Sequence, residues 1–197
     1  DGDLVIEPWA TLRLRPGTTV RFATSDSRGT GFAPERCELI AYGGLLVEGD
    51  GENPVRFLSA ASDAGSADWQ GIFLLSGQEF DDGAALVQHS AFGVVRSHLP
   101  QGTTSWSGVR SMPFDLVVPK GAELVVEAGS RLGFSSGDMG HSGFFPELSE
   151  LLVEGRLVVD GAAASPATFT LASNRRDSLW FGVHLRKGAE LSARYLN

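Results

Sequence analysis

The chain has 197 residues, 42% hydrophobic and 20% charged, with 24 acidic against 16 basic side chains and a net charge of −8. Val, Leu and Phe recur along the whole length, which excludes disorder. The acid excess excludes a nucleic-acid partner, since phosphate neutralisation needs a basic footprint. No apolar run approaches the ~20 residues of a membrane-spanning helix, and the single cysteine, Cys37, rules out an intramolecular disulfide. A lone Cys in such a chain reads as a small buried apolar residue. The chain opens at Asp1 without Met, which fits a trimmed product or a section of something longer.

In chain order, Leu4-Val5-Ile6 begins a short strand and Pro8-Trp9 turns it. Ala10 to Leu14 alternates, with Ala10, Leu12 and Leu14 on one face and Thr11 and Arg13 on the other. Pro16-Gly17 turns again, and Thr18 to Phe22 places Val20 and Phe22 inward. A polar excursion, Thr24 to Arg36, follows. The rhythm restarts with Glu38 to Tyr42, Leu45 to Glu48 and Pro54 to Ser59. A second excursion, Ala60 to Asp68, leads to a strand from Trp69 to Leu74. Ala84 to Ser90 and Gly93 to Arg96 close the third round. Strands this short, with turns this tight, leave no room for crossover helices. Residues 98–113, rich in Ser, Gly and Thr, read as an irregular connection.

From residue 114 the chain says the same thing again. Positions 3–61 align with 115–173 at a constant offset of 112 and no gap, with 21 identities in 59 pairs. The matches include Asp3-Leu4-Val5 with Asp115-Leu116-Val117, Gly31-Phe32 with Gly143-Phe144, Pro34-Glu35 with Pro146-Glu147, and Glu38-Leu39 with Glu150-Leu151. After one deletion, Trp180 answers Trp69. A long-period repeat is the signature of a solenoid, in which each round buries its apolar face only against the next. The expected organisation is a first repeat over 1–97, the connection 98–113, and a second, truncated repeat over 114–197, in one continuous all-β solenoid. The competing fold is an antiparallel sandwich or jelly roll, which also uses short alternating strands.

Four segments carry a family resemblance: Pro16-Gly17-Thr18-Thr19-Val20-Arg21-Phe22, Gly44-Leu45-Leu46-Val47-Glu48-Gly49, Asn53-Pro54-Val55-Arg56-Phe57 and Trp69-Gln70-Gly71-Ile72. In this order they resemble coils of the right-handed parallel β-helix, the pectate-lyase-like superfamily, and most of all the large repetitive β-helix proteins that bacteria secrete or display. The resemblance implies an extracytoplasmic location. It says little about activity, because function is grafted onto a fold rather than fixed by it.

Candidate sites follow the repeat. Asp26 and Glu35, with Asp138 and Glu147, offer carboxylates to Ca²⁺, a hard cation that takes oxygen ligands. The structural reading of the same residues is that the acids cap turns while Phe32 and Phe144 plug the solenoid's side. Phe32, Pro34, Phe144 and Pro146 mark the excursions as partner-binding loops. Glu48-Gly49-Asp50-Gly51-Glu52-Asn53 has the look of a cation loop, but its counterpart has lost the acids, which favours a turn. Asp81-Asp82 is the one adjacent carboxylate pair. Polygalacturonase-like members of the superfamily use such a pair, yet Gly140-His141-Ser142 and Arg186-Lys187 lie too far along the chain to complete their pattern. His89, His98, His141 and His184 show no ligand spacing. Trp9, Trp69, Trp106 and Trp180 would stack on sugar rings only if exposed.

The sequence therefore points to a non-catalytic structural or adhesive module that presents loops to a protein partner or self-associates through open solenoid ends, with no catalytic residue and no cofactor apart from the Ca²⁺ option. The alternatives are a carbohydrate-active enzyme or carbohydrate-binding relative with a polysaccharide ligand, and an accessory subunit of a larger complex.

Overall fold

A computed structural model describes residues 2–77, 80–138, 140, 143–172 and 179–197. The chain divides into two compact units, Asp1–Arg96 and Ser97–Asn197.

In the first unit three walls of parallel strands are built by a chain that winds past each wall in turn. The first wall is β1 (Leu4–Ile6), β4 (Leu39–Ala41), β7 (Ile72–Leu74) and β9 (Val94–Arg96). The second is β2 (Thr11–Leu14) with β5 (Gly44–Val47), and the third is β3 (Thr19–Phe22), β6 (Val55–Ser59) and β8 (Ala85–Val87). On the third round the second wall has no strand among the described residues, and a 3-10 turn, Asp82–Ala84, leads into the third wall.

The second unit repeats the plan. Its first wall is β12 (Leu116–Val118), β15 (Glu150–Val153) and β18 (Gly182–Leu185). The second is β10 (Gly102–Trp106), β13 (Ala122–Glu127), β16 (Arg156–Asp160) and β19 (Glu190–Arg194). The third is β11 (Val109–Met112), β14 (Arg131–Phe134) and β17 (Thr168–Leu171). Every pair of named strands is parallel. The fold is an all-β parallel solenoid, and the antiparallel sandwich is excluded because its ladders run the other way.

The register explains the repeat's spacing. Leu4 pairs with Leu39, Leu39 with Ile72, and Ile72 with Val94, so one inward position stacks apolar on apolar through successive coils. Leu116, Leu151 and Val183 do the same in the second unit. Phe57, Leu39, Leu45, Leu116, Leu124 and Leu132 are fully buried, each stabilising its unit by roughly 1.5–3 kcal/mol relative to an exposed side chain.

Residues 98–113 depart from the expected irregular connection: they form β10 and β11. Their side chains are mostly polar and exposed, so no apolar alternation marks them. Their main chain pairs with β13 and β14, and the backbone ladder rather than side-chain burial holds them in the sheet.

Candidate functional site

The long connections are 23–38, 60–71 and 135–149, and each joins a third-wall strand to the next first-wall strand. Most other connections take two to seven residues. The excursion 23–38 is tied by its own acids. Asp26 Oδ1 accepts the N–H of Arg28 at 2.8 Å and Oδ2 that of Thr30 at 2.7 Å. These donors hold the Asp26 carboxyl below its ordinary range, with burial acting in the opposite direction. Main-chain bonds from Asp26 N–H to Glu35 C=O and from Arg36 N–H to Ala33 C=O close the loop.

The anchor beneath the loop is a pair that the sequence reading did not single out. Asp3 Oδ1 accepts Glu38 N–H at 3.0 Å and Oδ2 accepts the Thr30 hydroxyl at 2.8 Å. Glu38, fully buried, turns its Oε1 up to accept the N–H groups of Phe32 and, at 3.3 Å, Ala33. Between them sits Gly31, at φ +70°, where a Cβ would collide with Glu38 Oε1 and Asp3 Oδ2. Glu38 Oε2 is buried without a hydrogen-bond partner, and burial pushes the carboxyl up to about 7, while the loop N–H bonds pull down and Asp3 adds to the rise.

The second unit rebuilds this anchor. Glu150 N–H donates to Asp115 Oδ1 at 2.9 Å, and Glu150 Oε1 accepts from Phe144 and, at 3.5 Å, Phe145. Gly143 takes Gly31's place at φ +69°. Even the lone cysteine is matched: Cys37 Sγ donates to Ser25 C=O at 3.3 Å, and Ser149 Oγ donates to Gly137 C=O at 3.0 Å. Burial raises the Cys37 thiol, which keeps it protonated and unreactive. The two anchors face different residues on the first wall. Phe73 on β7 meets Phe32 edge-on at 5.3 Å, whereas the matching residue of β18 is His184, with Nε2 3.6 Å from Glu150 Oε2. The His184 ring stacks on Phe181 at 4.5 Å, and Arg186 lies 4.1 Å above the half-exposed Phe144 ring.

The sequence candidates fall out as follows. The side chains of Glu35 and Glu147 are exposed, while Asp26 and Asp138 are buried. Asp138 Oδ1 accepts the N–H of Gly140 at 2.8 Å. Among the described residues no three His, Cys, Asp or Glu side chains converge as a metal site. Phe32 is half-buried on Phe73, and Pro34, Phe144 and Pro146 are exposed. Asp50 Oδ1 accepts from Glu52 and Asn53 N–H at 2.9 and 2.7 Å, which makes that acidic stretch a turn. Asp81 caps the 3-10 turn through Gly83 N–H, and Arg96 Nη2 bridges both oxygens of Asp82 at 2.8 Å. His141 lies outside the described residues.

The four tryptophans separate. Trp69 is fully buried, stacked on Phe22 at 4.2 Å and 5°, with Nε1–H donated to Gln88 C=O at 2.8 Å. Trp180 stacks likewise on Phe134 at 4.4 Å and 7°, but is only half-buried. Trp106 is half-buried under Arg110, and Trp9 is 84% exposed. A sugar-stacking role is therefore closed to Trp69.

Comparison with protein-family models, with curated proteins and with solved structures finds no match to this chain.

Proposed function

We propose that the chain is a non-catalytic structural or adhesive section of an extracytoplasmic bacterial surface protein or assembly, a relative of the right-handed pectate-lyase-like solenoids. It acts by geometry: a stack of short coils presents the long connections between its third and first walls, with Pro34, Phe144 and Pro146 outward for a protein partner. The observation that carries this reading is how the acids are used. Asp3, Asp26, Glu38, Asp81 and Asp82 each hold main chain or a cation of the fold itself, so these five acids serve the loops and turns they sit in, which supports a structural use over a general acid and base pair among them.

A carbohydrate-binding relative is the second reading, favoured by Trp9, whose indole stands open to solvent and would stack on a sugar ring. One experiment addresses both. The chain, and a variant with residues 24–36 and 137–148 replaced by short Gly-Ser turns, are tested for retention on bacterial cells and on immobilised neutral and acidic polysaccharides. Reducing ends and unsaturated uronates are followed in solution. Retention that disappears with the loops, without turnover, supports the adhesive module. Turnover of any polysaccharide overturns it. Retention on polysaccharide that survives loop replacement and is lost in Trp9→Ala moves the function to the second reading.

A further inference from the structure

Glu38 and Glu150 occupy the same buried place in two copies of one anchor, and each has an Oε2 without a hydrogen-bond partner. A charged carboxylate oxygen in that position is expensive unless something compensates it. In the second unit the ring of His184 on β18 lies beside that oxygen, with Nε2 3.6 Å from Glu150 Oε2. In the first unit β7 offers Phe73 instead, and the charged groups that bear on Glu38 are acidic: Asp3 from the lead into β1 and Asp26 from the excursion. Arg28 of the excursion lays its methylenes beside Gly2. The four N–H and O–H donors at the anchor go to Asp3 and to Glu38 Oε1, so the buried Oε2 is met by none of them, and a proton is the smallest charge that can compensate it.

We propose that Glu38 is a proton-operated latch for the excursion 24–36: as a neutral carboxylic acid it seals the loop onto the solenoid, and on ionisation it favours an opened loop in which its second oxygen reaches water. The loop bears on the two carboxyls at Gly31, whose positive φ and lack of a Cβ let the main chain pass directly over them. The direction follows from linkage. Glu38 titrates higher in the closed state than its ordinary value of 4.5, so the closed state binds the proton more tightly. Closure is complete below about 4.5 and weakens as pH rises through about 7. The latch does not depend on what the loop binds.

The test is the pH dependence of amide exchange at Phe32 and Ala33, corrected for intrinsic rates, alongside the carboxyl carbon shift of Glu38, in the native chain and in Glu38→Gln. The amides of Phe144 and Phe145 serve as an internal reference. The expected result is a Glu38 titration near neutrality and a loss of protection at Phe32 and Ala33 of roughly 10²-fold across it, since each pKa unit is tenfold in the opening equilibrium. Glu38→Gln, which supplies an acceptor oxygen and a permanent N–H donor, should hold protection flat with pH. A Glu38 carboxyl that titrates with ordinary glutamates overturns the proposal in the native chain alone. So does pH-dependent protection that persists in Glu38→Gln.

Discussion

Trp69 and Trp180 offer a matched pair of perturbations, because the repeat puts the same side chain on the same partner in two different degrees of enclosure. Replacing Trp69 with Ala removes a fully buried indole, its stack on Phe22 and the donor to Gln88 C=O. Large-to-small substitution of a buried aromatic costs about 3–5 kcal/mol, and the orphaned carbonyl adds about 1 kcal/mol. Trp180→Ala loses an equivalent stack on Phe134, but from a half-buried site, so about 2 kcal/mol is expected on area grounds. Trp69→Phe keeps a ring on Phe22 and loses the hydrogen bond and part of the volume, for about 1–2 kcal/mol. Hydrogen exchange read by mass spectrometry in increasing urea assigns each loss to its unit, because in a solenoid energetic effects fall mainly on neighbouring coils. The order Trp69→Ala, then Trp180→Ala, then Trp69→Phe is the expected outcome. If Trp180→Ala costs its unit as much as Trp69→Ala costs the other, burial is not what sets the contribution of the stack, and the reasoning fails.

Other outcomes are expected with it. Gly43→Ala and Gly155→Ala each drive a methyl into two main-chain carbonyls, those of Glu7 and Ala10 and those of Pro119 and Ala122. Backbone cannot step aside as a side chain can, so each should lower stability by at least about 1–3 kcal/mol in thermal melts, whereas Gly51→Ala, with open space around it, should not. Asp26 titrates below its ordinary 3.8 when folded, so its contribution is complete above that value and fades as pH falls below it; Asp26→Asn should remove that acid sensitivity from the exchange of Arg28 and Thr30. His98 is held below its usual 6.5 by burial, against the pull of Glu154, so the second unit should lose stability as pH falls below about 6.5, a slope that His98→Gln abolishes in urea titrations. Millimolar Ca²⁺ should leave the melting temperature unchanged; a rise that disappears in Asp26→Asn would show the excursion acids to be ligands.

The walls of the solenoid were legible where residues alternate and repeat. Leu12, Val20, Leu45 and Phe57 announce their faces, and the 112-residue offset brings Phe22 to Phe134 and Trp69 to Trp180 without any structural input. β10 and β11 were not legible, because Thr103, Ser105, Arg110 and Ser111 bury little and their place in the sheet comes from ladder bonds that any residue but proline can make. The excursions are visible as repeats, and the acids inside them, Asp26 with Glu35 and Asp138 with Glu147, stand out there as matched carboxylates. The anchors, Asp3 with Glu38 and Asp115 with Glu150, sit at the lead into or within short apolar strands and looked like ordinary strand polar positions. A signal was present: an identical acid at the head of a strand whose following residues are buried, returning with an identical Gly-Phe pair six or seven residues earlier. A buried carboxylate kept alongside a glycine implies a contact between them. The exchange of Phe73 for His184 emerges only from the register, which pairs Phe73 with Ile40 and His184 with Leu152, equivalent positions two residues beyond Glu38 and Glu150.

The route of the long connections has a practical consequence. Since 23–38 and 60–71 leave and rejoin the same two walls on successive coils, whatever is grafted into them inherits the ~4.8 Å step between paired strands. Foreign segments spliced at these two points would emerge as neighbouring teeth of a comb, their roots spaced by hydrogen-bond geometry alone and indifferent to their own sequence. Lengthening one tooth leaves the pitch untouched. The molecule is in that sense a molecular ruler on which epitopes, enzymes or mineral-binding peptides can be mounted at a pitch finer than a helical scaffold's turn of ~5.4 Å.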